Sequence, residues 1–102
     1  MLSNIESTAR DVLRLYPIKR AALFGSAARG DMNDQSDIDM LVEFLPNQSG
    51  RNFNFFSLQA ALERAFGCPV DLLTYHGLYS EARPVFRDAV LRDEKVIYEQ
   101  QG

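Results

Sequence analysis

The amino-acid sequence predicts a small α/β domain in which a β-sheet packs against helices. The first observation is rhythm. Apolar runs of strand length at Ile18–Phe24, Asp37–Phe44, Val70–Thr74 and Lys95–Tyr98 alternate with stretches whose apolar residues recur at helical intervals, giving the order α-β-(short α)-β-α-β-α-β. The second is size and composition. The chain has 102 residues, 46% hydrophobic and 25% charged, which suits one hydrophobic core and leaves no length for a second folded unit, so residues 1–102 are expected to form one domain.

A first helix is expected from about Asn4 to Leu15. Ser3 and Glu6 have capping-box spacing, Ile5, Ala9, Val12, Leu13 and Tyr16 follow on one stripe, and Pro17 marks the exit. Arg10 and Arg14 lie on the opposite side, as a solvated pair or as a contact for an acidic partner. The run Ile18–Phe24 closes on four apolar residues, the pattern of a central strand covered on both faces. Gly25 turns the chain, Ser26 is expected to cap a short helical turn through Arg29, and Gly30 releases it into a polar loop from Asp31 to Ser36.

In the next strand Asp37, Asp39, Leu41 and Glu43 share one face, and Ile38, Met40, Val42 and Phe44 share the other. Pro46 to about Asn54, rich in Asn, Ser and Gly, is expected to be a loop. Its Phe53, together with Phe55 and Phe56, either anchors the start of a helix or offers a surface to a partner or a base. Leu58, Ala61, Leu62, Ala65 and Phe66 form the stripe of that helix, and Gly67 ends it. In Val70–Thr74, Asp71 shares a face with Leu73 while Val70, Leu72 and Thr74 take the other. Tyr75 to Arg83 fits a loop or a short helix. Pro84 suits a first helical position for a helix to about Leu91, and Lys95–Tyr98 reads as a last strand before a fraying tail.

Composition excludes several classes of function. Cys68 is the only cysteine, so neither an intrachain disulfide nor a thiolate metal cluster can form, and between Gly67 and Pro69 it reads as a partly buried, inert thiol. No cationic leader precedes an apolar run and no segment approaches membrane-spanning length, so a cytoplasmic protein without membrane contact is expected. The formal charge of −3 disfavours stable binding of long nucleic acid, which relies on clustered Lys and Arg.

The chain is organised around Leu23-Phe24-Gly25-Ser26-Ala27-Ala28-Arg29-Gly30 and, beyond it, Asp37-Ile38-Asp39. Strand residues two apart project together, and two carboxylates so placed repel unless a cation lies between them. Magnesium takes carboxylate and phosphate oxygens, and a glycine turn lets backbone N–H groups approach phosphates. The combination points to a nucleoside triphosphate site. Each residue also has an ordinary role: turn or capping acids for Asp37 and Asp39, a turn and helix cap for Gly25 and Ser26, a solvated or salt-bridged side chain for Arg29. Such a role accounts for Asp37 but less well for Asp39, which lies inside an apolar run where an unpartnered carboxylate is costly.

Gly25-Ser26, a spacer of ten residues, Asp37-x-Asp39 and a later strand acid in Val70-Asp71-Leu72 together resemble the signature of the DNA polymerase beta-like nucleotidyltransferase superfamily. The likeness is closest to its minimal members of the MntA kind, antitoxins often encoded beside HEPN-domain proteins, and it spans nearly the whole chain. It implies a mixed sheet of the polymerase beta-like fold. It implies Asp37, Asp39 and Asp71 as catalytic ligands of two magnesium ions, Gly25, Ser26 and Arg29 against the phosphates, and ATP as co-substrate. The implied reaction is transfer of AMP to a protein hydroxyl, a tyrosine of a cognate HEPN toxin, with the preference for adenine resting on the resemblance alone.

Two other readings stand beside it. One is a binding antitoxin that neutralises its partner by complex formation without chemistry; the other is a nucleotidyltransferase acting on RNA or a small molecule, which acidity and the lack of a second domain disfavour. Outside the motif, His76 reads as a surface histidine, Tyr75, Tyr79 and Tyr98 as core or interface residues, and Glu43 as too far along its strand to be a fourth ligand. Candidate anchors for a protein partner are Phe53, Phe55 and Phe56 with Arg51, or the Arg10/Arg14 face.

Overall fold

Ala21 to Phe24, the apolar end of the first strand, are all buried, as expected of a strand with neighbours on both edges and cover on both faces. The computed structural model describes residues 2–33, 36–46, 51–81 and 83–100. In chain order they form α1 (Leu2–Leu13), β1 (Ile18–Phe24), α2 (Gly25–Arg29), β2 (Ile38–Phe44), α3 (Arg51–Phe66), β3 (Val70–Thr74), α4 (Tyr75–Tyr79), α5 (Pro84–Asp93) and β4 (Lys95–Glu99). The strands lie in the order β3-β2-β1-β4, with β1 antiparallel to β2 and to β4, and β2 parallel to β3. The sheet is therefore mixed. Its one parallel step is the one whose connection contains a long helix, α3, since parallel neighbours need a crossover.

The period-two alternation of the strands decides which residues fill which layer. Ile38, Met40 and Val42 of β2 pack with Val70 and Leu72 of β3 in the larger apolar cluster, which Leu13 of α1 and Leu58 and Leu62 of α3 also enter. Leu41 turns the other way, into a smaller cluster with Ala22, Phe24, Tyr75, Leu78 and Val90 under α4 and α5. The face assignment from sequence is borne out for Ile38, Met40, Leu41, Val42 and Phe44 of β2 and for Val70, Leu72 and Leu73 of β3.

Several boundaries differ from the expectation. α1 begins at Leu2, so Ser3 lies within the helix and not before it, and the Glu6 carboxylate takes Arg10 and Lys95. The helix ends at Leu13 in a turn in which Leu15 and Tyr16 donate their N–H groups to Val12 and Leu13, and Leu15 points into solvent. The expected loop through Asn54 is also overturned: α3 already includes Arg51, and residues 47–50 lie outside the described residues. Asn and Phe are indifferent helix formers, and burial of Phe55 on the main cluster supports the first turns where local propensity does not. The ambiguous stretch from Tyr75 resolves into α4, capped by Thr74, whose hydroxyl accepts the Gly77 N–H at 2.9 Å. Pro84 opens α5 as expected.

Arg10 is engaged within the chain. Its Nε donates to the Ile97 carbonyl of β4 at 2.8 Å and its Nη2 to Glu6 at 3.0 Å, while Arg14 pairs with Asp11. Phe53 and Phe56 are 75% and 66% exposed on α3, so of the three phenylalanines only Phe55 packs inward; the Arg51 side chain lies outside the described residues.

Met40 is fully buried at the centre of the sheet. Met40→Ala is expected to lower the free energy of unfolding by about 2–5 kcal/mol, because packing around it relaxes only partly. Urea denaturation checks this, with a lower midpoint and an unchanged slope.

Candidate active site

The site is built where the end of β1 meets the start of β2. The antiparallel register sets Phe24 opposite Asp39, so the chain leaving β1 turns directly over the Asp39 side chain. Gly25 makes that turn with φ +65°, a left-handed conformation that side chains disfavour. There is also no room for one: a Cβ built on Gly25 would stand 2.4 Å from the Asp39 Oδ2. Glycine is thus required both by backbone conformation and by contact with the acid.

α2 follows at once. Its N-cap position is Phe24, and no side chain caps it, so Ser26 is a residue of the first turn and not the cap that the sequence suggested. The Ser26 carbonyl accepts the N–H groups of Gly30 and Asp31, while its hydroxyl has no partner among the described residues. Gly30, at φ 80°, ends the helix in the left-handed conformation expected of a C-terminal glycine.

Asp39 and Asp71 are register partners across the parallel β2–β3 pair. Neighbouring strands run about 4.8 Å apart and register partners share a face, so the two carboxylates project together on the side of Leu41 and Leu73. Asp37 precedes β2 by one residue instead of lying in it as expected, and is exposed. Its charge still reaches Asp39. The Asp39 carboxyl is pushed up to about 6, first by burial, then by the Asp71 and Asp37 carboxylates, with Arg29 pulling the other way. Among the described residues none donates a hydrogen bond to Asp39.

The three acids thus share one electrostatic neighbourhood without forming a closed cage: no group of three or more His, Cys, Asp or Glu among the described residues is gathered tightly enough to hold an ion. This openness fits magnesium, which keeps several waters and is held by one or two carboxylates together with substrate phosphates. A half-buried carboxylate with like charges beside it and no donor suits a cation better than any protein group present.

Arg29 is engaged. Its Nε donates to Asp31 at 3.1 Å and its Nη1 to Asp93 at 2.6 Å, the latter at the C-terminal end of α5. Neither acid was singled out by the sequence; the available signal was an acid at a helix C-terminus, where cations are preferred. His76 is exposed, Tyr75 is buried, and Tyr79 is exposed. The Tyr75 hydroxyl donates to Glu94, and burial followed by that carboxylate raises its pKa well above the usual tyrosine range. Glu43 pairs with Arg20 at 3.4 Å, away from the acids. Burial is also the first cause that raises the Cys68 thiol, as suits an inert cysteine. Two surface clefts, of about 470 and 360 Å³, flank the far ends of β2 and β3 and include none of the three acids.

A small mixed sheet that sets a glycine-serine turn against strand-borne acids defines a nucleotidyl-transfer domain. The family described as Polymerase beta, Nucleotidyltransferase matches residues 7–102, and the chain belongs to it. A Methanocaldococcus jannaschii protein, named provisionally as a protein adenylyltransferase, is 34% identical over 92 residues, 90% of this chain and 92% of that protein. The Thermococcus cleftensis protein adenylyltransferase MntA is 33% identical over 94 residues, 87% of this chain and 93% of that one. Among solved structures, a toxin-antitoxin crystallised with AMP-PNP aligns with a TM-score of 0.70 and 28% identity over 94% of this chain and 74% of the solved one.

The raised pKa of Asp39 sets a pH dependence. Between about pH 4 and pH 6 the folded protein holds a proton on Asp39 that the unfolded chain, with the ordinary aspartate value of 3.8, has released, so the ionised acid weakens the fold as pH rises through that window. Asp39→Asn carries no such charge. In thermal melts with a chelator it is expected to exceed the wild-type Tm by a few degrees at pH 7.5, and the difference is expected to vanish below about pH 4. Gly25→Ala is expected to lower Tm through both the positive φ and the contact with Asp39.

Proposed function

We propose that this protein is a magnesium-dependent protein adenylyltransferase that transfers AMP from ATP to a tyrosine hydroxyl of a cognate HEPN toxin, and that it acts as the antitoxin in the cytoplasm. The observation that carries the reading is the in-register pair Asp39–Asp71 beside the Gly25 turn, in a chain of the nucleotidyltransferase family. The names of its relatives support protein as the acceptor and a toxin as the partner.

In this reading Asp37 and Asp39 would hold magnesium toward the triphosphate, and Asp71 with Asp39 would hold it toward the acceptor. Bound there, the metal supplies positive charge that polarises the phosphoryl group and stabilises the departing pyrophosphate. The chain's own residues do the rest. Gly25 leaves room for backbone N–H groups to approach the β- and γ-phosphates, and the Ser26 hydroxyl, without a partner among the described residues, and Arg29 add donors to them. In this reading Asp71, exposed on the edge strand, helps the acceptor hydroxyl lose its proton as its oxygen attacks the α-phosphorus. The bond from that phosphorus to the β-phosphate bridging oxygen breaks, and pyrophosphate leaves. No covalent enzyme intermediate is needed.

The exposed Phe53 and Phe56 favour a second reading, a protein that neutralises its partner by contact alone. One experiment separates them. The chain is co-expressed with its neighbouring HEPN partner, and the partner is weighed by intact mass spectrometry. Adenylyl additions mapping to tyrosine are expected with wild type, and Asp39→Asn is expected to reduce transfer on the order of 10²-fold or more. Full neutralisation of an unmodified partner by both proteins would instead establish the contact mechanism. Asp71→Asn is expected to slow single-turnover transfer more than it weakens ATP binding, since it serves the acceptor side.

A further inference from the structure

The Arg29 guanidinium offers five N–H donors on three nitrogens. Two nitrogens are taken, Nε by Asp31 and Nη1 by Asp93, and Nη2 has no partner among the described residues. A guanidinium gripped on two of its nitrogens has a fixed plane, so the direction of its free edge is set by the two acids and not by the flexible stem.

The two acids are unequal. Asp31 follows the Gly30 turn, and its side chain is 59% exposed; Asp93 is 24% exposed and makes the shorter contact, 2.6 Å against 3.1 Å. Asp93 is also the last residue of α5, where the helix leaves unsatisfied carbonyls and an acid is electrostatically disfavoured. A cation beside it offsets that cost, and α2, which carries Arg29, packs against α5. The grip therefore joins the phosphate turn to a helix some sixty residues later in the chain. Arg29 is the last residue of the short α2, whose first residue, Gly25, turns directly over Asp39.

We propose that Asp93, assisted by Asp31, is a positioning residue that holds Arg29 with its Nη2 edge free for the outer phosphates of the bound nucleotide. The inference rests on the nucleotidyltransferase reading above and adds to it the residue that orients the phosphate contact. It makes α5 part of the nucleotide site without touching the nucleotide.

The test is calorimetry of the full chain with ATP, ADP and AMP in magnesium buffer. Asp93→Asn, which keeps shape and removes charge, is expected to weaken ATP and ADP binding roughly three- to tenfold and to leave AMP binding unchanged, because only the outer phosphates lose their partner. Arg29→Ala is expected to weaken the same two nucleotides, and the double variant to bind no worse than Arg29→Ala alone. Asp93→Glu is expected to recover most of the affinity. Unchanged or tighter ATP binding by Asp93→Asn would overturn the proposal, and so would an equal loss for AMP, which would mark a general structural defect. Wild-type protein that bound none of the three would overturn the nucleotide reading itself and this inference with it.

Discussion

The structure depends on one electrostatic constraint: Asp39 must be held half-buried, in register with Asp71 and directly beneath the turn at Gly25. Each neighbour makes a different demand. The parallel pairing of β2 with β3 sets the two carboxylates side by side, the antiparallel pairing of β2 with β1 brings the turn over them, and the absence of a Cβ at Gly25 lets the chain pass at all. A mixed sheet is what permits both pairings at once, since a residue near the start of β2 then meets the start of β3 on one side and the end of β1 on the other.

The remaining elements hold this junction still. α1 and α3 cover the larger apolar layer, and β4 closes the far side of β1, where Arg10 ties Ile97 back to α1. On the acid side, Asp93 and Glu94 end α5 and enter the turn to β4 as adjacent acids with different partners. Asp93 takes Arg29 from α2, and Glu94 takes the hydroxyl of Tyr75, the first residue after β3. Arg20 of β1 lies over the Tyr75 ring, 4.0 Å from its centre, and reaches Glu43 of β2. A single turn thus fastens α2 and the segment that follows the Asp71 strand to one body, while Asp37 alone of the three acids lies in the segment before β2.

Much of this was legible in the sequence because it rests on short-range periodicity. β1 and β3 occupy the expected residues, the faces of β2 were assigned correctly, and the convergence of Asp39 with Asp71 followed once the two strands proved to be neighbours. What was not legible depends on contacts far apart in the chain. Arg10 and Arg14 look alike on a helical projection, yet of the two Arg10 meets the middle of β4, and nothing local distinguishes them. The start of α3 is poor in helix formers and is supported by the burial of Phe55, a tertiary effect that outweighs propensity. Ser26 had the chemistry of a cap but stands inside the first turn, because the helix begins without a linker at the end of β1. Asp93 was invisible for the same reason as Arg10: its partner lies at the other end of the sheet's connections.

The open arrangement of the acids also explains how one small domain reconciles stability with function. A cage of carboxylates closed in the absence of metal would place all of their repulsion on the free protein, whose net stability is only a modest difference between large terms. Here only Asp39 is substantially desolvated, while Asp37 and Asp71 stay exposed and their charges are largely screened by water. The free protein therefore bears the cost of one awkward carboxylate. In the proposed reading a bound cation and triphosphate would act only on the folded state, so their binding would relieve that carboxylate and stabilise the fold by the same free energy that tightens the site. Gly25 makes this arrangement workable, since any larger residue would force Asp39 aside and separate the turn from the acid beneath it.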